Sequence, residues 1–193
     1  MARIGAELRR QDFIEATVKV IAEYGVANAT TRRIAMAAGS PLASLHYVFH
    51  TKDELFYAVY ESLINIPQPS LEHMPDGTTT AEYIAQMLRQ LVRWFAAHPD
   101  LATAQFELYI WTLRNNPEMA GKIDAVSGEA TEQAIDRITG STLDKATLTT
   151  ISRLLINLFD GLLLAWSAHC DLQRLEAETE TACRALELLV ANY

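Results

Sequence analysis

Between Thr30 and Lys52 the sequence gathers groups suited to gripping a polyanion. Thr30 and Thr31 offer hydroxyls and, at the start of a helix, free N–H groups of the kind that seat a phosphate. Arg32 and Arg33 fall in the same turn, and Lys52 stands at the far end of the segment. Residues 34–51, between these cations, contain no Asp, Glu, Lys or Arg. Cations at the edges would hold a phosphate backbone in register, leaving neutral side chains to read base edges or a thymine methyl. The candidate DNA-contact set is Thr30, Thr31, Arg32, Arg33, Ser40, Leu42, Ser44, His46, Tyr47 and Lys52. A plain solvated face is the competing reading for Arg32 and Arg33, and Lys52 in the same bracket favours phosphate contact.

Catalysis finds less support. The chain has no G-x-S-x-G, H-E-x-x-H, P-loop, dinucleotide fingerprint or Cys-x-x-Cys, so no catalytic residue is expected. His169 beside Cys170 is the sole thiol–imidazole neighbourhood, and sequence neighbours on a helix point different ways. His46 and His50 have the i, i+4 spacing of metal ligands, but the helix should break near Val48 and no third ligand is visible. Neither a metal nor a cofactor is expected.

The charge distribution agrees with a polyanion partner for one part of the chain. The 193 residues carry a net charge of −8, which taken whole argues against nucleic acid. Residues 1–52, however, are net +3 and residues 53–193 net −11. This asymmetry sets the boundary of a DNA-binding domain, 1–52, joined through a helix over 52–65 to an acidic domain, 53–193. Two cysteines make no disulfide framework. The N-terminus lacks an apolar signal segment, and the most apolar stretch, 161–170, is far short of the ~20 residues needed to span a bilayer. A cytoplasmic protein is expected.

The elements that would position these groups are all helical. Eight Gly and six Pro cluster at a few points, and no period-2 strand pattern occurs. Phe13, Ile14, Val18, Ile21 and Ala22 recur at helical steps over 10–24, a helix that Gly25 ends. Thr30 caps a second over 31–38, and Ser40 with Pro41 starts a third over 42–48. Thr51 and Glu54 form a capping box for the fourth, and Pro67, Pro69, Pro75 and Asp76-Gly77 mark a break. Thr79 and Glu82 cap a fifth, Pro99 opens a sixth, and Asn116-Pro117 opens a seventh ending near Gly140. Ser141 starts an eighth over 144–169, and the ninth covers 174–192. Nine helices and no sheet give an all-α fold.

Within it, residues 31–48 have the layout of a helix-turn-helix. Small Ala35 lets the second helix approach, Gly39 supplies the turn, and Ile34, Ala38, Leu45 and Val48 lock the pair. That leaves Leu42, Ala43, Ser44, His46 and Tyr47 free for a major groove.

On these residues the chain resembles the tetracycline-repressor (TetR) family of bacterial regulators. The likeness is carried by Thr30-Thr31-Arg32-Arg33-Ile34-Ala35, Ala38-Gly39, Leu45-His46-Tyr47-Val48-Phe49 and Lys52-Asp53-Glu54-Leu55, within residues 10–60. Beyond them only the helix layout and Asp160-Gly161 are similar. Family members usually have tyrosine at the position of His46 and an apolar residue at that of Ser40, so the operator sequence does not carry over. Tyr47 matches an aromatic, phosphate-contacting position. The resemblance implies a repressor that binds a palindromic operator on double-stranded DNA as a homodimer and is released by a small apolar or aromatic effector. An effector with a 100-fold preference for the released state supplies about 2.7 kcal/mol. A DNA-binding architectural or scaffolding protein without a ligand is the alternative.

The same resemblance implies a ligand pocket among the fifth to eighth helices, for which Trp94, His98, Gln105, Phe106, Tyr109, Asn157 and Trp166 are candidates. From the residues alone, an aromatic stripe is more often plain core than a pocket, and Asn157 equally a register residue in a helix seam. Leu154, Leu155, Leu158 and Leu162 with Leu186, Leu189 and Val190 offer more apolar surface than one helix pair buries. They are expected to form a four-helix dimer interface; packing back on the fifth helix is the alternative.

Overall fold

The computed structural model describes residues 2–64, 77–140 and 143–193, with backbone alone for 2–6 and 138–139. Among the described residues there are nine α-helices and no strand: α1 Ala2–Tyr24, α2 Thr31–Ala37, α3 Leu42–Val48, α4 Lys52–Ile64, α5 Thr80–Ala97, α6 Pro99–Asn115, α7 Pro117–Thr139, α8 Lys145–His169 and α9 Leu172–Val190. The all-α expectation holds. The prolines of the break at 67–75, Asp76 and the expected start at Ser141 lie outside the described residues.

Local chemistry explains most boundaries. Thr30 accepts from the Arg33 N–H at 3.2 Å and caps α2. Thr79 and Glu82 form a full reciprocal box on α5, and accepting the Thr79 N–H holds the Glu82 carboxyl below its usual pKa. On α4 the expected box is only half formed. Thr51 accepts from the Glu54 N–H at 3.0 Å, but Glu54 turns to the His50 N–H at 2.8 Å. Asp144 caps α8 and Asp171 caps α9.

Four expectations are corrected. α1 begins at Ala2, eight residues before 10, because Arg3–Arg9 are mostly good helix formers and need no apolar period to continue it. Pro41, not Ser40, is the cap residue of α3. α9 starts at Leu172 because the Asp171 carboxylate takes the Arg174 N–H at 3.1 Å. Finally, α8 as a whole is long and apolar enough to cross a membrane, which the ten-residue run at 161–170 understated. Its apolarity has another use: Ile151, Leu155, Phe159 and Leu163 are buried in the chain's own packing.

Two compact units result, Met1–Ile66 with Asp100–Asp124, and Pro67–Pro99 with Ala125–Tyr193. This packing boundary does not follow the change of charge after residue 52. In the first unit α1 packs on α2, α3 and α4 around Phe13, Ile21, Ile34, Leu45, Phe49 and Phe56, and Leu108 and Ile123 join the same core. In the second, α5 packs on α8 and α9, with Phe95 edge-on to Phe159 at 5.1 Å.

Asp160 sits half-buried on α8, and burial pushes its carboxyl up to about 6. A folded-state pKa above the ordinary carboxylate value means that folding takes up a proton between about pH 4 and 6. Stability from this group is full below that window and lost as pH rises through it. Asp160→Asn should therefore gain stability relative to wild type as pH rises from 4 to 7, read by urea unfolding; parallel pH profiles would refute it.

Candidate nucleic-acid interface

The α2–α3 pair is assembled as its sequence requires. Ile34, Ala35 and Leu45 are buried, and Gly39 takes φ +59 at the turn with open space around the site of a Cβ. Glycine is needed there for its backbone, not for room.

Fastening this pair commits some side chains and frees others. Tyr47 is 78% exposed, His46 is exposed, and Ser44 is half-buried at the edge of α3. Leu42, counted among the candidate contacts, instead packs partly against the core of the first unit. Arg32 is exposed, with Thr30 and Thr31 at the same helix end. Arg33 is tied into the fold, its guanidinium donating to the Asn28 carbonyl at 3.0 Å and lying 4.3 Å from the Tyr24 ring centroid. Lys52 points its ammonium at Phe56 and Trp111, 4.7 and 5.9 Å from their ring centroids. Burial lowers its pKa, with Asp53 opposing. Ser40 sits half-buried beside the turn, its hydroxyl 3.4 Å from the Ala38 carbonyl. Because α3 ends at Val48, His46 and His50 do not share a helix.

Three features of this region have no counterpart in the sequence pattern. The Arg10 guanidinium lies 5.5 Å from the ring of Phe49, the residue that ends α3, so α1 brings a further cation to the end of that helix. Met36, 75% exposed on α2, is a large apolar side chain in water next to the candidate face. A short 3-10 turn, Val26–Asn28, leads from α1 to α2, and Glu107 of α6 accepts its first N–H, that of Val26, at 2.7 Å. Only the pair Arg9-Arg10 could have hinted at the first, and nothing local in sequence signals a contact across 81 positions.

The candidate effector residues divide. Gln105, Phe106 and Tyr109 belong to the first unit, where Tyr109 lies 6.4 Å from Tyr60, centroid to centroid. Trp94, His98, Asn157 and Trp166 belong to the second. There Trp94 stacks on the exposed His98 at 4.2 Å, and His98 Nδ1 lies 2.7 Å from the Trp94 carbonyl. Asn157 is exposed on α8 rather than turned inward. Trp166 is buried, and its indole Nε1 has no hydrogen-bond partner among the described residues.

The candidate dimer residues divide by exposure. Leu155, Leu186 and Val190 are 1%, 0% and 6% exposed, already used in the chain's own packing, and so are corrected out of the outer surface. Leu154, Leu158 and Leu162 remain half-exposed on α8, and Leu189 is 37% exposed on α9 beside exposed Leu188.

Residues 13–59 match the family model described as bacterial regulatory proteins, tetR family. The HTH-type nicotine-responsive transcriptional repressor HdnoR of Paenarthrobacter nicotinovorans is 36% identical over 115 residues, 58% of this chain and 59% of that protein. The HTH-type transcriptional regulator BetI of Rhizobium meliloti is 27% identical over 111 residues, 56% of this chain and 55% of that protein. The chain thus spans less than two thirds of the length of these curated relatives. The crystal structure of the multidrug binding protein EbrR complexed with imidazole superposes with a TM-score of 0.63 at 24% identity, covering 91% of this chain and 93% of that one. At that identity the likeness is one of fold.

Proposed function

From the match of residues 13–59 to the tetR family model and the 36% identity to a transcriptional repressor, we propose that the chain is a ligand-responsive transcriptional repressor of that family acting in the cytoplasm. It binds a palindromic operator as a homodimer and is released by a small apolar or aromatic effector. The observation that carries this reading is the outward face of α3: exposed, uncharged and built on a buried pair, with Arg32 on α2 and Arg10 beside its end. That is the division of labour between phosphate grip and base reading. Residues 1–52 form the DNA-binding domain and 53–193 the sensing and dimerisation domain. The likeness to a nicotine-responsive repressor supports an effector, and the uncovered leucines of α8 and α9 support the dimer.

Selection of bound fragments from random duplex DNA tests the proposal. A symmetric consensus with half-sites about one helical turn apart, ~34 Å, is the expected result. Absence of any sequence preference would overturn it.

Single substitutions in the contact set should separate grip from reading. Arg32→Ala and Tyr47→Ala should weaken binding to all sequences, and Arg32→Ala should reduce the slope of log affinity against log salt by about 1. Ser44→Ala should alter which sequences are preferred. Lys52, turned toward Phe56 and Trp111, should contribute less to the salt slope than Arg32. An unchanged slope in Arg32→Ala would remove it from the phosphate contacts.

A further inference from the structure

Helices α5 and α9 run antiparallel, and one pair of contacts fixes their register. Arg89 grips Glu180 with two hydrogen bonds, from Nε at 2.6 Å and Nη2 at 2.8 Å, and also donates to Gln86 Oε1. Cys183 Sγ, one turn further along α9, reaches the Ala85 carbonyl at 3.2 Å, one turn earlier on α5. Moving a turn the other way on both helices places Arg93 opposite Glu176. The first rung of this ladder is closed and the second is open: among the described residues neither Arg93 nor Glu176 makes a hydrogen bond or ion pair.

A cleft of about 210 Å³ occupies the open rung. Besides the Arg89–Glu180 pair, it is lined by Val92 and Ala97 of α5 and by Leu172 and Leu175 of α9. Val92 and Leu175 are buried, whereas Leu172 is exposed. Exposed Arg93 on α5 and exposed Glu176 on α9 both line the cleft, together with the buried Val92 and Leu175. A lone anion would meet the charge of Glu176, and a lone cation that of Arg93. Arg93 also feels Glu180, but that carboxylate is already held by Arg89 in a bidentate pair.

We propose that this α5–α9 cleft binds a small zwitterion with an apolar body, its carboxylate taken by the Arg93 fork and its ammonium by Glu176. The volume suits a metabolite of amino-acid size and lies below the ~300–1,000 Å³ of drug-sized pockets. Every residue of the site lies in the second unit, and the site is independent of the DNA-reading face.

Calorimetric titration of the full-length chain at low salt with 6-aminohexanoate and with leucine tests this, with hexanoate and hexylammonium as single-charge controls. Saturable binding of at least one zwitterion is expected, with both controls at least tenfold weaker. Arg93→Ala and Glu176→Gln should each weaken the zwitterion at least tenfold, with an unchanged circular dichroism melt as the folding control. No saturable binding by either zwitterion would overturn the site. Controls that bind as well as the zwitterions would overturn the ligand class. Binding unaffected by both substitutions would place the ligand elsewhere and overturn the assignment.

Discussion

Replacing Gly25 by alanine is expected to destabilise the first unit by about 2–4 kcal/mol. Gly25 holds φ +77 and ψ 155, a region that side chains with a Cβ enter at a cost of about 1–3 kcal/mol. Its Cβ would also stand 3.2 Å from Glu107 Oε2. The Glu107 side chain is flexible and would yield, but in yielding it abandons the Val26 N–H that it accepts at 2.7 Å. Losing a hydrogen bond to a charged group adds roughly 1.5–3 kcal/mol, partly recovered by water at this half-exposed site. Against a total stability of about 5–15 kcal/mol the loss is large. Urea unfolding measures it, and an unchanged midpoint would refute the requirement. Glu107→Gln keeps an amide oxygen for Val26 and should cost far less. Because Gly25 and Glu107 share one contact, Gly25→Ala with Glu107→Ala should cost less than the sum of the single changes. The effect should reach DNA binding too, since the turn at Val26–Asn28 carries the carbonyl that holds Arg33 and leads into the cap of α2.

Gly25 also marks where the sequence is legible and where it is not. That glycine ends α1 was readable, because Phe13, Ile14, Val18 and Ile21 keep a helical period up to it. That a carboxylate 81 residues away seats against the next N–H was not, because no local pattern encodes which turn a distant helix meets. The same division runs through the interface. Thr30, Gly39 and Leu45 act within a few residues of themselves, and the structure puts them where spacing predicts. Lys52 and Arg33 were assigned by charge alone, yet long side chains go where rings and carbonyls offer partners, here Phe56, Trp111, Tyr24 and Asn28. The effector candidates rest on aromatic residues of α5, α6 and α8 and on the polar His98, Gln105 and Asn157, and residue type carries no information about which unit a helix joins. Periodicity found the leucines of α8 and α9 but not which of them the fifth helix would cover.

Leu158→Glu is therefore expected to convert the proposed dimer to a monomer, whereas Leu155→Glu should unfold the second unit instead. Leu158 is half-exposed on the outer stripe of α8, with Leu154, Asn157 and Leu162 near it, while Leu155 is 1% exposed within the chain's own packing. An exposed glutamate costs the monomer little, but in a two-fold interface each copy meets its counterpart near the axis, so the charge is buried twice and repels itself. A stripe of half-exposed leucines also contributes roughly 25 cal/mol for each Å² it hides, so an interface of ordinary size does not survive a desolvated charge at its centre. Light scattering at micromolar concentration reads the mass, and a circular dichroism melt close to wild type separates dissociation from unfolding. Operator affinity should fall with it by about 10²–10⁴, because two reading helices held together bind the second half-site at high effective concentration and a single one does not. A Leu158→Glu protein that remains a full dimer would remove α8 from the interface. A monomer that binds its operator as tightly as wild type would show that one α3 helix suffices for recognition.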